Sequence, residues 1–208
     1  MPTDIATDYR LEPIVNLSTG EAIGNELLAG KTTCPQWTPK EWELWYGWLS
    51  VEIPKILAST PGLLFFNLSG EQILNHNILR SVRQLRDYAD RIIIEWTEQD
   101  FLHERFVDVI VKLNFLKGMG FGLAIDDVAS QDGVDGLGRA GAIKHRFCKI
   151  DGAYFQRARE YGPDFLRGLC QHLSMHETQV IAEWIETEED YRIAQDGGAH
   201  LGQGWFFR

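Results

Sequence analysis

Short runs of apolar residues recur along the chain and take turns with longer stretches in which apolar residues return every three or four positions. The short runs have strand character, and the long ones follow the 3.6-residue period of an amphipathic helix. Residues 9–16 and 21–28, joined by the turn-forming Ser18, Thr19 and Gly20, predict an opening strand pair. Further strands are predicted at 63–68 (LLFFNL), 91–96 (RIIIEW), 121–126 (FGLAID), 145–150 (HRFCKI) and 179–184 (QVIAEW), and a short last run, AHLGQGWFF, follows at 199–207. Helical patterns fill 39–57, 78–88, 101–117, 164–173 and 187–195. This alternation predicts an α/β fold whose sheet is largely parallel and crossed by helices. Six or more such units with no GxGxxG after the first strand favour a TIM-like (β/α) barrel over a doubly wound sheet. The one glycine cluster, GMGFG at 118–122, follows a helix and precedes a strand, so it reads as a helix cap and loop. No repeat, low-complexity segment or long linker divides the chain, and residues 1–208 read as one domain.

The predicted strands share a second property. At or near their C-terminal ends stand Glu26, Asn67, Glu95, the adjacent Asp126 and Asp127, Lys149 and Glu183, with Gln203 in the last run. In a barrel those ends converge on one mouth. Four or five carboxylates gathered there repel one another unless cations stand between them. Hard divalent ions such as Mg²⁺ or Mn²⁺ suit carboxylate and amide oxygens. The Asp126–Asp127 doublet then acquires a purpose, because one aspartate can bridge two ions while its neighbour holds the second. His172 and His176 have the i, i+4 spacing of a zinc helix, but the sequence HLSMH lacks the glutamate of HExxH and reads as helix surface.

Composition narrows the partners. The formal charge of -10 leaves no basic face for a polymeric nucleic acid. A small anionic ligand stays compatible where metal ions supply the local positive charge. The three cysteines, Cys34, Cys148 and Cys170, have no CxxC spacing and cannot all pair, which fits a reducing compartment and small buried side chains. With no apolar leader and no membrane-length apolar run, the expectation is a cytoplasmic protein without membrane contact. Trp42, Trp45, Leu49 and Ile53 fall near one face of the 39–57 helix, as core packing requires, and Trp48 to the side is either core or a partner surface.

With these residues in view, the chain resembles the EAL-domain family of cyclic di-GMP phosphodiesterases. The resemblance runs from LEPIVNLSTGEAIGNELL through FFNLSGEQIL, IIIEWTEQD, LAIDDVAS, CKIDGAYF and VIAEWIETEED to LGQGWFF. It implies a modified TIM barrel with an antiparallel first strand, two Mg²⁺ or Mn²⁺ ions, and hydrolysis of cyclic di-GMP to linear pGpG. It also implies residue roles. Glu26, here in Glu-Leu-Leu, would hold one ion with Asn67, Glu95 and Asp126. Asp126 would bridge to a second ion held by Asp127 and Glu183. Lys149 would position or activate the water, Glu98 would anchor the loop after the aspartates, and Leu28 and Gln203 would meet the substrate. A homodimer is the family's usual assembly.

The departures concern substrate more than metal. Gly30 stands where the family has an arginine able to reach a phosphate. Val128 replaces an aromatic after the aspartate pair, and the loop before Lys149 is about two residues longer than usual. Trp184 replaces the glycine of AEGVE, either as a core aromatic or as a ring that narrows the pocket. Two functions follow: an active phosphodiesterase, which the full ligand set favours, or a degenerate module that binds cyclic di-GMP or a protein partner without cleavage.

Overall fold

The structure is a computed structural model that describes all residues except 1–6, 32–35, 98–102, 131–135 and 175–176. Eight strands close a barrel in sequence order: β1 Tyr9–Asn16, β2 Ala22–Ala29, β3 Leu63–Leu68, β4 Ile92–Trp96, β5 Gly122–Val128, β6 Phe147–Ile150, β7 Gln179–Ala182 and β8 Leu201–Gly202. β1 runs antiparallel to both β2 and β8, and every other neighbouring pair is parallel. The expected barrel with its reversed first strand is therefore the observed one.

The long amphipathic patterns form the helices Pro39–Ser59, Phe106–Gly118, Pro163–Leu173 and Glu188–Asp196. The pattern read as one helix over 78–88 divides into a helix, His76–Arg83, and a 3-10 segment, Arg86–Arg91. At the far end of the 3-10 segment Arg91 donates to the carbonyls of Leu57, Thr60 and Gly62 and ties it to the end of the first long helix. Helices Gly70–Leu74, Leu137–Ala142 and Gly152–Ala158 are too short to impose a period on the sequence. In GMGFG, Gly118 ends a helix and Gly120 turns the chain at φ +103°, the cap and loop expected.

Two apolar layers hold the fold. Ile14, Phe65, Ile93, Ala124, Phe147, Ile181 and Leu201 fill the barrel interior. A larger layer between strands and helices includes Trp45, Leu49 and Ile53, with Trp42 and Trp48 packed partly buried against it. The Trp48 ring lies 4.9 Å from that of Trp45, so this face is core packing. Cys148 and Cys170 are buried in the same layer, and burial pushes both thiols up to about 12. Cys34 lies outside the described residues. Among the described residues, no helix is long and apolar enough to cross a membrane.

Asp190 ties the first turn of the helix Glu188–Asp196 to the loop before it and to Arg159. Its carboxylate accepts from the backbone of Glu186 at 3.1 Å and of Thr187 at 3.0 Å, and Arg159 pairs with it. Burial alone would raise its pKa, but Arg159, the Thr187 hydroxyl and the two amides outweigh burial and hold it below the usual aspartate value. Asp190→Asn is expected to destabilise the protein by about 2 kcal/mol at pH 7. Because the folded pKa is depressed, this contribution exists above the unfolded value and is lost as the pH falls through the folded one. Urea denaturation of both proteins should therefore show a gap at pH 7 that narrows once the pH falls below the usual aspartate range.

Candidate active site

Pleating builds the site. Residues two apart on a strand face the same side, so each apolar interior residue has a counterpart one layer nearer the mouth. Phe65 is followed by Asn67, Ile93 by Glu95, Ala124 by Asp126, Phe147 by Lys149, Ile181 by Glu183 and Leu201 by Gln203. β2 supplies Glu26 from above Gly24, where a Cβ would sit 2.2 Å from the Leu63 carbonyl oxygen. On β1, which runs the other way, the same step from Ile14 reaches Glu12, directly across from Glu26. The layer above the apolar one is thus polar on all eight strands.

Lys149 is at its centre. Its buried ammonium lies 2.6 Å from Glu183, 3.1 Å from both Glu26 and Glu95, and 3.2 Å from Asp126. The Asn67 amide donates to Glu26 at 2.7 Å and the Gln203 amide at 2.6 Å. Tyr46, from the helix Pro39–Ser59, donates to the Asn67 carbonyl at 2.5 Å and steadies the end of β3.

Asp127 reaches the site by a different route. Simple alternation would turn it away from Asp126, but the β5–β6 register slips between Ile125 and Val128, and Asp127 adopts φ 51°. Carboxylate oxygens of Asp126, Asp127 and Glu183 then come within 4.8 Å of one another, close enough to share one ion. Arg139 holds this corner, its guanidinium donating to the Trp96 carbonyl at 2.6 Å and the Asp126 carbonyl at 2.9 Å.

The charges do not balance. Glu26, Glu95, Asp126, Asp127 and Glu183 face one ammonium. Burial would raise the Glu26 pKa, but Lys149 and the two amides outweigh it and hold the carboxyl below its usual range. Glu95 and Glu183 are driven well above theirs, by burial first and then by neighbouring acids. Burial and Asp126 push Asp127 up to about 7. Burial works against the charged form of Lys149, yet the surrounding acids raise its pKa well above the usual lysine value. Among the described residues, no donor reaches the buried acceptors Asn67 Oδ1, Glu95 Oε1 and Gln203 Oε1. Carboxylate and amide oxygens in excess, some of them unsatisfied, fit hard cations.

Every described residue expected at the mouth is there. Leu28 lines the cavity above Glu26, while Glu98 lies outside the described residues. Trp184 is not in the core: it is 53% exposed at the cavity mouth, with φ 54° in the region that glycine favours. Its ring rests on Gly152, where a Cβ would meet it at 2.2 Å. His172 belongs to no ion-holding group among the described residues, and His176 lies outside them. The sequence reading passed over Glu12, Arg10 and Arg139. Counting back by two from Ile14 along an antiparallel β1 would have found the first two; an arginine in the small-residue run GLGRAGA was the only sign of the third.

Fold and site together define a (β/α) barrel with an acidic, cation-suited site at the C-terminal mouth. The chain belongs to the EAL domain family, which it matches over residues 52–208. No curated protein matches it. Among solved structures it is similar to the EAL enzyme Bd1971 in a form with cAMP and cyclic di-GMP bound, at TM-score 0.75 and 21% identity, covering 96% of this chain and 61% of that one. A standalone versatile EAL protein from Vibrio cholerae O395, with cyclic di-GMP bound, is 21% identical at TM-score 0.74, covering 98% and 92%. Klebsiella pneumoniae BlrP1, in a calcium and cyclic di-GMP complex, is 20% identical at TM-score 0.76, covering 99% and 56%. The chain thus spans about three fifths of the length of Bd1971.

Proposed function

We propose that the protein is a metal-dependent phosphodiesterase that opens cyclic di-GMP to linear pGpG. The observation that carries this is the polar layer itself, five carboxylates around one buried ammonium with acceptor oxygens left over. Two divalent ions, Mg²⁺ or Mn²⁺, would bring four positive charges to the four carboxylates that Lys149 leaves uncompensated. Glu26, Asn67, Glu95 and Asp126 would hold one ion, and Asp126, Asp127 and Glu183 the other. Such ions lower the pKa of a shared water and take up charge on the phosphoryl oxygen.

The chain's own residues do the rest. Lys149, kept protonated by the acids around it, holds its proton at Nζ and acts as a donor to the water or to a phosphoryl oxygen. The Gln203 and Asn67 amides fix the rotamer of Glu26. Leu28 and Gln203 border the substrate cavity, and Glu98 would anchor the loop after the aspartate pair. The complexes of the similar structures with cyclic di-GMP support this ligand for the chain. Cytoplasmic action and assembly as a homodimer, or with a protein partner, belong to the same reading.

A second reading, a module that binds cyclic di-GMP without cleaving it, is favoured by Gly30 in place of an arginine and by Trp184 at the mouth. One experiment separates them: chromatography of cyclic di-GMP incubated with the protein and Mg²⁺ or Mn²⁺, with Glu26→Ala as control. Formation of pGpG by the parent and not by the variant is the expected result. Intact substrate under both metals would leave the binding module.

A further inference from the structure

Cyclic di-GMP carries two phosphodiesters, and only one of them can lie at the acid cluster for cleavage. The other must find positive charge elsewhere in a mouth that is otherwise acidic. The cavity over the acid cluster, of about 520 Å³, is lined among the described residues by four cationic side chains, Arg10, Lys31, Lys149 and Arg208. Lys149 stands inside the acid cluster itself, on the side of the phosphate to be cleaved. Lys31 is exposed and paired with Asp8 at 3.4 Å. Arg208 lies at the rim, its guanidinium 4.6 Å from the Trp205 ring centre.

Arg10 is placed differently. It lines both that cavity and an adjoining one of about 250 Å³ bounded by Trp42 and Tyr46. On the β1–β2 pair it stands across from Leu28, one pleat nearer the mouth than the facing Glu12 and Glu26. Its guanidinium is pinned, Nε to Glu12 at 3.1 Å and Nη1 to the Gly30 carbonyl at 3.2 Å. No described residue takes a hydrogen bond from Nη2. Position 30 itself is a tight corner, with φ 78° and its amide bonded to the Asp8 carbonyl at 2.7 Å, where an arginine would be strained. The chain instead brings a guanidinium to that corner from β1. Arg208 also pairs with Glu12, so removing Arg10 does not strand that carboxylate.

We propose that Arg10 binds the phosphate of cyclic di-GMP that is not being cleaved, a pre-oriented, charge-assisted contact at the junction of the two cavities. The proposal rests on the cyclic di-GMP reading above. The test compares the parent, Arg10→Ala and Arg10→Lys by calorimetric binding of cyclic di-GMP and by steady-state cleavage of cyclic di-GMP and of bis(p-nitrophenyl) phosphate, which has a single phosphate. Arg10→Ala should raise Kd and KM for cyclic di-GMP at least tenfold with kcat falling less than threefold, and Arg10→Lys should recover part of the loss. The loss in kcat/KM should be at least fivefold smaller for the one-phosphate substrate. Unchanged cyclic di-GMP parameters, or equal losses on both substrates, would overturn the role of Arg10 while leaving the phosphodiesterase intact. A parent protein that neither binds nor cleaves cyclic di-GMP would overturn both.

Discussion

Lys149→Met is expected to destabilise the metal-free protein by about 3–5 kcal/mol, the usual cost of breaking a buried ion pair from one side. For a chain of this size that lowers the melting temperature by roughly 6–20 °C. The cause is local: Glu26, Glu95, Asp126 and Glu183 all lie within 3.2 Å of the ammonium, and the variant leaves them facing each other. Cleavage should fall by roughly 10²–10³, the loss typical of a removed electrostatic donor. Millimolar Mn²⁺ should restore more stability to the variant than to the parent, because added cations then carry the whole burden of neutralising the acids. Thermal melts in chelator and in Mn²⁺ measure both effects. An unchanged melting temperature in chelator would mean that these acids are neutral in the folded protein and that Lys149 does not hold the site together.

The second large effect concerns Asp127. If it holds an ion, saturating Mn²⁺ at about a hundred times its Kd should stabilise the parent by about 2.7 kcal/mol, and Asp127→Asn should lose most of that gain. Asparagine is the informative replacement because it tolerates the left-handed conformation that Asp127 adopts, whereas alanine would add backbone strain. Without metal, the variant should melt at or above the parent temperature, since it removes a crowded carboxyl already pushed up to about 7. A variant that melts lower in chelator yet keeps the full Mn²⁺ shift would make Asp127 a structural residue and break the two-ion arrangement.

Both predictions depend on contacts that sequence reading reaches unevenly. The apolar runs LLFFNL, RIIIEW and FGLAID announce their strands because a buried parallel strand must be hydrophobic on both faces. Polar residues at the C-terminal ends of these runs, and of HRFCKI and QVIAEW, stand out against that background, which is why Asn67, Glu95, Asp126, Lys149 and Glu183 were legible. The pattern over 78–88 misled because apolar residues of a helix and of a following 3-10 segment can share one rhythm, and the break after Arg83 shows only in the backbone.

What the sequence alone determined is the order of strands and helices, the barrel and the ring of polar residues at strand ends, because period and polarity are local properties. The tertiary structure decided which of those residues touch. The bulge after Ile125 turns Asp127 into the site against the alternation of its strand. The antiparallel run of β1 brings Glu12 opposite Glu26 and Arg10 to the corner at Gly30. Closure of the barrel gathers four acids from four strands around Lys149. These placements arise from register and ring closure, which are set by all eight strands together and are written in no single stretch of the chain.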